Sequence, residues 1–135
     1  MSVFTTNEVA YLTEPRLGRL ATADATGQPH LVPVGFRFDP ETETIAIGGR
    51  DIARTKKVRD ALANPRAAFL VDDLASTDPW QPRGIEIRGP VEVFETGGEQ
   101  IRPGFDGTWL RITPRRIVSW GLNTDGFTRD SRAVG

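Results

Sequence analysis

Short stretches of alternating apolar and polar residues, each closed by glycine, proline or another turn residue, run along most of this 135-residue chain. The clearest covers 84–94, GIEIRGPVEVF, and alternates apart from a bend at Gly89-Pro90. Such alternation is typical of half-buried strands. Helical patterns do not alternate with the strands, so a parallel doubly wound sheet is disfavoured. The sequence predicts a mainly β chain, a small antiparallel barrel formed by one domain over residues 1–135.

We expect six or seven antiparallel strands and two short helices. The predicted strands cover 17–23, 29–38, 44–48, 66–72, 84–94, 108–113 and 116–122. Residues 73–83 and 95–107 have the composition of loops, and 123–135 that of a frayed tail. Most of the remaining connections between strands are short, which favours hairpins.

Both predicted helices carry recognisable local signals. Thr5 and Glu8 have the spacing of a capping box, which predicts that the first helix begins at Thr5. The second helix is predicted over 52–63, where Val58 and Leu62 are four residues apart and would share its buried face.

The strand predicted over 29–38 contains two residues that interrupt strands. Pro33 has no backbone N–H to give a neighbour, so it indicates an edge or a bulge. Gly35 has no side chain, which indicates close approach by another group. The opposite face follows a period of two and is formed by Val32, Val34, Phe36 and Phe38.

Composition excludes several classes of function. With no cysteine, the chain has neither disulfides nor thiolate ligands, and its single histidine cannot build a multi-histidine metal site. No apolar run approaches the roughly 20 residues needed to span a bilayer, and the N-terminus lacks the features of a signal peptide, so a cytoplasmic protein is expected. The formal net charge of −1 argues against nucleic-acid binding, for which a basic domain is typical.

No pattern of side chains predicts metal or acid–base chemistry. Asp72 and Asp73 together could bind a hard cation, although adjacent carboxylates are common where a loop begins. His30 has no orienting partner in the sequence pattern and is expected to be exposed. We therefore predict neither a metal site nor a catalytic side chain.

The three tryptophans differ in their predicted surroundings. Trp109 and Trp120 lie in predicted strands and are expected to pack in the core. Trp80 lies in the loop predicted over 73–83, where a large aromatic side chain must be packed, covered by a partner chain or stacked on a ligand.

The strongest local signal is the segment 48–57, GGRDIARTKK, which leads from a strand into the second helix and contains both lysines of the chain. Helix N-termini suit anions because their N–H groups are unsatisfied and partly positive. Cations there are unfavourable for the helix alone, and a bound phosphate would offset Lys56 and Lys57. The Thr55 hydroxyl would be a further donor. A solvated basic helix face explains the same residues, so the segment alone leaves both interpretations open.

Motifs along almost the whole chain together resemble one known family. They are LGRLAT at 17–22, VPVGFRFDP at 32–40, RTKKVR at 54–59, NPRA at 64–67, GIEIRG at 84–89 and RITPRRIVSWGL at 111–122. Their order resembles the pyridoxamine 5′-phosphate oxidase-like flavin and deazaflavin oxidoreductases, and it is most similar to the small branch associated with the deazaflavin coenzyme F420. The resemblance implies a split β-barrel of the FMN-binding type.

The same resemblance implies a homodimer with the cofactor in a groove between the subunits. Arg54, Thr55 and Lys57 would hold the cofactor phosphate, with Lys56 assisting. Arg50 would add a fourth cation to this phosphate-binding segment.

The resemblance also implies where the ring of the cofactor lies. The ring would run along Pro33, Val34 and Gly35, and Trp80 would cover it from the partner subunit. Gly48 and Gly49 would let the backbone approach the ring edge or the ribityl chain.

In such an enzyme the cofactor carries the hydride chemistry and the protein supplies orientation and electrostatics. FMN presents one phosphate, whereas F420 presents a phosphodiester followed by a lactyl-oligoglutamate. The four cations from Arg50 to Lys57 suit the longer anionic tail better. We predict an F420-dependent oxidoreductase that transfers hydride between reduced deazaflavin and a small planar or conjugated acceptor.

Three alternatives remain open from the sequence. One is an FMN-linked reductase of the same fold. Another is a non-catalytic protein that binds a flavin, deazaflavin or tetrapyrrole. The third, nucleic-acid binding through 50–59, is opposed by the acidic pI of about 5.8.

Overall fold

The computed structural model describes residues 2–135, and its fold is a mainly β split barrel with two α-helices. The helices are α1 (Thr6–Thr13) and α2 (Lys56–Ala63). The strands are β1 (Gly18–Ala23), β2 (Pro29–Val34), β3 (Arg37–Asp39), β4 (Thr44–Ile47), β5 (Arg66–Thr77), β6 (Trp80–Phe94), β7 (Trp109–Ile112), β8 (Arg116–Trp120) and β9 (Arg129–Ala133). All pairings are antiparallel, which confirms the predicted fold class. Within the described residues, no helix is long and apolar enough to cross a membrane.

Strand β6 joins the two parts of the barrel. Its first part pairs with β8 over 84–88, and its last part pairs with β7 from Val91 onwards. The change of partner falls at the predicted bend, where the backbone of Gly89 lies against the connection between β7 and β8. A Cβ atom on Gly89 would lie 1.8 Å from the carbonyl oxygen of Thr113, so a residue with a side chain does not fit there.

The barrel has a seam between β2 and β3. The path of hydrogen-bonded strands runs β2-β1-β5-β6-β7-β4-β3, so β2 and β3 are its two ends. Within residues 2–135 each of them pairs with one neighbour, and Gly35 and Phe36 join them covalently. The single strand predicted over 29–38 is therefore wrong. Pro33 lies on an edge strand, as its missing N–H predicts.

The interior is filled by apolar side chains from both parts of the barrel. The largest fully buried ones include Leu20, Ile45, Phe69, Ile85 and Ile112. The four residues predicted to share a face of 29–38 also pack on this core. Burial of each such side chain contributes about 1.5–3 kcal/mol.

The two helices begin differently. At α1 the backbone N–H of Glu8 donates to the Thr5 hydroxyl at 3.2 Å, and the Thr5 N–H donates to the Glu8 carboxylate at 2.9 Å, which confirms the capping box. α2 begins at Lys56 rather than at 52, because Ile52–Arg54 form a separate 3₁₀ turn.

The buried face of α2 also differs from the prediction. Val58 is buried as predicted, but the Leu62 side chain is 69% exposed. The face that packs on the barrel holds Val58, Asp60 and Ala61, and this orientation turns Leu62 to solvent.

Two segments predicted to lack regular structure form strands. Residues 73–83 are not a loop, because β5 and β6 continue to pair as far as Thr77 and Trp80 and extend beyond the neighbouring strands as a two-stranded arm. Most of the arm's side chains are exposed, so its sequence lacks the alternation that marks a half-buried strand. The tail predicted to fray contains β9, which pairs with β8 along its whole length.

Candidate functional site

The basic segment predicted to bind phosphate is held in place from a distant loop. The N–H of Asp106 donates to the Gly49 carbonyl at 2.9 Å, and the Asp106 carboxylate accepts from the N–H of Ile52 at 2.9 Å. These two hydrogen bonds fix the turn that precedes α2. The sequence pattern did not identify Asp106, because it lies about fifty residues further along the chain.

Lys57 lies in the first turn of α2 with its side chain half-buried. Burial lowers the pKa of this ammonium group, and among the described residues it has no hydrogen-bond or ion-pair partner. The first turn of α2 contains no acidic residue, and the Thr55 side chain does not cap the helix. A partly desolvated cation and unsatisfied helix N–H groups thus occur together, which is a suitable environment for an anion.

Lys56 is directed to a different partner. Its ammonium nitrogen lies 3.0 Å from the Oδ1 atom of Asp60, one turn along the helix. Asp60 is buried, and its Oδ2 atom accepts from the Thr22 hydroxyl at 3.0 Å. The Nδ1 atom of His30 is buried 4.0 Å from the same oxygen without a hydrogen bond of its own.

Asp60 therefore connects α2 to β1 and β2. Burial alone would raise the pKa of its carboxyl, but the hydrogen bonds from Lys56 and Thr22 and the nearby charges hold the pKa below its usual value. The i, i+4 spacing of Lys56 and Asp60 is a signal from which this ion pair could have been predicted. The approach of His30 to Asp60 depends on the tertiary structure and has no such signal.

The other predicted phosphate ligands lie nearby in different settings. The Thr55 hydroxyl donates to the Ile52 carbonyl at 2.6 Å, inside the turn. The Arg54 side chain is 87% exposed and lies 4.0 Å from the carboxylate of Asp51. Arg50 is exposed beside Gly104, where a Cβ atom would lie 3.2 Å from its guanidinium.

The residues predicted to line the ring lie at the seam. Pro33 is exposed on β2, Val34 is buried at the end of that strand, and Gly35 begins the connection to β3. A Cβ atom built on Gly35 has no atom within 4 Å, so this backbone borders open space.

Gly48 and Gly49 follow β4 and differ in their surroundings. A Cβ atom on Gly48 would lie 2.7 Å from the Phe105 ring, so the absence of a side chain is required for packing within the chain. Gly49 has ordinary contacts, with its nearest neighbour at 3.7 Å.

Trp80 lies at the tip of the arm, opposite Thr77, with 57% of its surface exposed. It therefore lies outside the core of its own chain. Trp109 and Trp120, predicted to be buried, are each only partly buried on their strands. Trp109 stacks on Phe94 with the ring centroids 4.6 Å apart, and Trp120 lies beneath the guanidinium of Arg129.

A partly buried polar cluster fixes the base of the arm. The Tyr11 hydroxyl donates to Asp73 at 2.8 Å, and Arg83 donates to both oxygens of the same carboxylate at 2.8 and 3.0 Å. The guanidinium of Arg16 lies 3.9 Å from the centre of the Tyr11 ring. Asp73 is occupied by these donors, and within residues 2–135 no group of three or more acidic and histidine side chains is placed to hold a metal ion.

The outer face of the sheet formed by β1, β2, β5, β6 and β8 is uncovered and carries a groove of about 830 Å³. Its floor is built from small apolar residues such as Ala21 and Ala68, and arginines lie around it. Leu31, opposite Ala21 on the edge strand, is 68% exposed. Small apolar residues and an exposed leucine thus lie on the same uncovered face.

Comparison with known proteins gives a consistent result. The family model described as pyridoxamine 5′-phosphate oxidase matches residues 4–121. The chain is 46% identical over 122 residues, 90% of this chain and 86% of the relative, to a 5a,11a-dehydrotetracycline/5a,11a-dehydrooxytetracycline reductase of Streptomyces rimosus. It is 30% identical over 115 residues, 82% of this chain and 77% of the relative, to an F420H(2)-dependent biliverdin reductase of Mycobacterium tuberculosis.

A solved structure shows the same fold at lower identity. A pyridoxamine 5′-phosphate oxidase-related FMN-binding protein of Nostoc punctiforme superposes with a TM-score of 0.65 over 100% of both chains, at 14% sequence identity. At this identity the likeness supports the fold alone.

Proposed function

This chain belongs to the pyridoxamine 5′-phosphate oxidase family, and from that membership we propose that it is an F420-dependent reductase of planar conjugated acceptors. The family relationship to two reductases makes the protein an oxidoreductase. The more specific part of the proposal is the cofactor and the acceptor. One of the relatives is F420H(2)-dependent, and both are named for conjugated polycyclic or tetrapyrrole compounds.

The observation that carries the cofactor assignment is the unpaired ammonium group of Lys57 at the start of α2. It lies in the first turn, where helix N–H groups lack a side-chain acceptor, and burial lowers its pKa. An anion bound here would restore the favourable interaction that the ammonium loses on burial. A phosphate of F420 fits this site, and the exposed Arg50 and Arg54 would face the further charges of its tail.

The chain's own residues divide the remaining work. Thr55 holds the turn through its bond to Ile52, and Lys56 braces α2 through Asp60, so Lys57 is the principal phosphate ligand. The open backbone at Gly35, with Pro33 and Val34, forms the surface along which the ring lies. Gly48 and Gly49 would border the ring edge or the ribityl chain. A reduced deazaflavin held by Lys57 and along Pro33, Val34 and Gly35 would supply the hydride for an electrophilic carbon of the acceptor, and solvent would supply the proton that completes the two-electron reduction.

We further propose that the working unit is a homodimer. The uncovered sheet face, with Leu31 exposed and a groove of about 830 Å³, supports a second copy as its partner. Trp80 supports the same arrangement, because the arm carries it away from the core of its own chain, where it would cover the cofactor ring of the partner subunit. A two-stranded arm is marginally stable by itself, and docking on a neighbour would stabilise it.

Cofactor titration tests the proposal. The purified protein is titrated separately with F420 and with FMN while tryptophan fluorescence is followed. Turnover is then measured with reduced F420 and a panel of quinones, nitroaromatic compounds and biliverdin. We expect saturable F420 binding and reduction of at least one acceptor.

The outcomes separate the candidate functions. Tight FMN binding without a response to F420 identifies an FMN-linked reductase of the same fold. F420 binding without turnover of any acceptor in the panel indicates a carrier protein.

A further inference from the structure

A second cleft lies between the arm and the connection from β8 to β9, away from the basic segment. Its volume is about 460 Å³, and its principal lining residues are Trp80, Pro82, Gly121, Asp125, Gly126 and Phe127. Phe127 is 76% exposed and Trp80 is 57% exposed. Two large aromatic side chains of one chain thus border one cleft while remaining in contact with water.

The wall that carries Phe127 is fixed by hydrogen bonds. The N–H of Phe127 donates to the Asp125 carboxylate at 2.8 Å, and the N–H of Gly121 donates to the Asp125 carbonyl at 3.1 Å. Gly126 lies against the arm, where a Cβ atom would be 2.6 Å from the Pro82 carbonyl oxygen. The connection is therefore seated directly on the arm, and it holds Phe127 outward as part of a formed structure.

The charge of the cleft favours an occupant without phosphate groups. Arg83 is the cation among its lining residues in the described chain, and its Nε and one Nη group donate to the carboxylate of Asp73. The acidic lining residue is Asp125, whose carboxylate faces an anion unfavourably. This cleft therefore suits a flat ring system without a strong negative charge better than it suits the polyanionic cofactor.

We propose that the Trp80–Phe127 cleft binds the fused rings of the acceptor, with Phe127 as a specificity-determining residue. The inference rests on the proposed function, because it names the site at which the acceptor of that reaction is recognised. Aromatic side chains favour stacked or edge-to-face contact with planar rings, and the cleft volume lies in the range of small-molecule sites. Trp80 is common to the two proposed sites, because it lines this cleft and would lie against the cofactor ring of the partner subunit.

The test measures acceptor binding without turnover. Tetracycline, a fused four-ring compound, is titrated with protein in a chelating buffer while its fluorescence anisotropy is followed. The variants are Phe127→Ala, Phe127→Tyr and the control Leu74→Ala, an arm residue that is 38% exposed and does not line the cleft. We expect Phe127→Ala to weaken tetracycline binding about tenfold, and the other two variants to bind like the unmodified chain.

A second measurement concerns the reaction. With reduced F420, Phe127→Ala should raise the KM for menadione, which has two fused rings, and leave the KM for 1,4-benzoquinone unchanged. F420 should bind every variant equally and should not displace tetracycline.

Several results would overturn the inference. They are tetracycline affinity that does not depend on Phe127, displacement of tetracycline by F420 or FMN, and a change of subunit number in Phe127→Ala, which would identify the cleft as a contact between copies. If no acceptor is reduced while tetracycline binding still depends on Phe127, the proposed reaction fails and the binding site stands.

Discussion

Arg132, in the last strand, donates hydrogen bonds to both carboxylate oxygens of Glu8, in the first helix. Glu8 is completely buried and also accepts from the Ser119 hydroxyl at 2.7 Å and from the Thr5 N–H. The two ends of the chain are thereby joined through one carboxylate. Together with the pairing of β9 with β8, this contact holds Arg129–Ala133 in an ordered strand.

The Glu8 carboxylate should make stability depend on pH in the acid range. Burial alone would raise its pKa, but the hydrogen bonds from Arg132, Thr5 and Ser119 and the charge of Arg132 hold the pKa below the ordinary value of 4.5. A group whose pKa is lower in the folded state adds stability above its unfolded pKa and loses it as pH falls through the folded pKa. We expect the free energy of unfolding, measured by urea titration, to decrease as the pH is lowered below about 4.5.

Glu8→Gln removes this contribution. In this variant the free energy of unfolding should depend less steeply on pH in the acid range, and it should be lower than that of the unmodified chain near neutral pH. The control is Glu99→Gln, an exposed acid, which should retain the slope of the unmodified chain. Equal slopes for Glu8→Gln and the unmodified chain would assign the acid dependence to other carboxylates.

Substituting each of the two adjacent lysines should separate their roles. Lys57→Met should weaken F420 binding roughly 10- to 100-fold, because a charge-assisted hydrogen bond contributes about 1.5–3 kcal/mol. Lys56→Met should have a smaller effect on affinity, because its ammonium is bound to Asp60. Equilibrium titration at fixed ionic strength provides both values, and equal losses for the two variants would contradict the assignment of Lys57 as principal ligand.

Asp60→Asn should destabilise the fold by roughly 1.5–3 kcal/mol, because a buried acceptor for a charged donor is lost. The same change frees Lys56 and removes the acid nearest to His30. Urea unfolding measures the effect, with Asp51→Asn as the control, since Asp51 is 82% exposed in the same segment. A difference of less than 0.5 kcal/mol between the two variants, the usual range of exposed substitutions, would show that Asp60 does not brace α2.

Leu31→Arg should convert the proposed homodimer into a monomer, since it places a charge within the exposed apolar surface that the second copy would cover. Sedimentation velocity measures the subunit number. The matched control is Leu62→Arg, because Leu62 is 69% exposed and Leu31 is 68% exposed, yet Leu62 lies on α2 and outside the uncovered face. If the dimer persists in Leu31→Arg, the second copy binds at another surface. If the unmodified chain is a monomer, the proposed homodimer does not exist.

Local sequence signals predicted the parts of the fold that local interactions decide. The capping box at Thr5 and Glu8, the edge position of Pro33 and the bend at Gly89 each follow from one backbone group, so neighbouring residues suffice to recognise them. The arm and β9 could not be predicted in the same way. Neither shows alternation of apolar and polar residues: most side chains of the arm are exposed, and the partly buried positions of β9 are Asp130 and Arg132. The contact of Arg132 with Glu8 joins residues more than a hundred positions apart, so no local pattern indicates it.

The same distinction between local and long-range interactions applies to the candidate site. Its basic residues were visible as a cluster in the sequence, whereas their division of roles required the structure. Asp60 forms an ion pair with Lys56, whereas Lys57 has no ion-pair or hydrogen-bond partner among the described residues. Asp106 fixes the turn before α2 from a separate loop. Phe127, in the part of the chain predicted to fray, acquires a role only through its position beside Trp80.

The seam at Gly35 and Phe36 gives the barrel an unequal mechanical stiffness around its circumference. Elsewhere neighbouring strands are tied by ladders of main-chain hydrogen bonds, but none crosses between β2 and β3 in the described chain. Widening the barrel at this point breaks side-chain contacts alone, so it costs less than separating any paired strands. The wall at the ends of β2 and β3, where the cofactor ring is proposed to lie, is therefore the part of the barrel that yields most readily to a bound molecule.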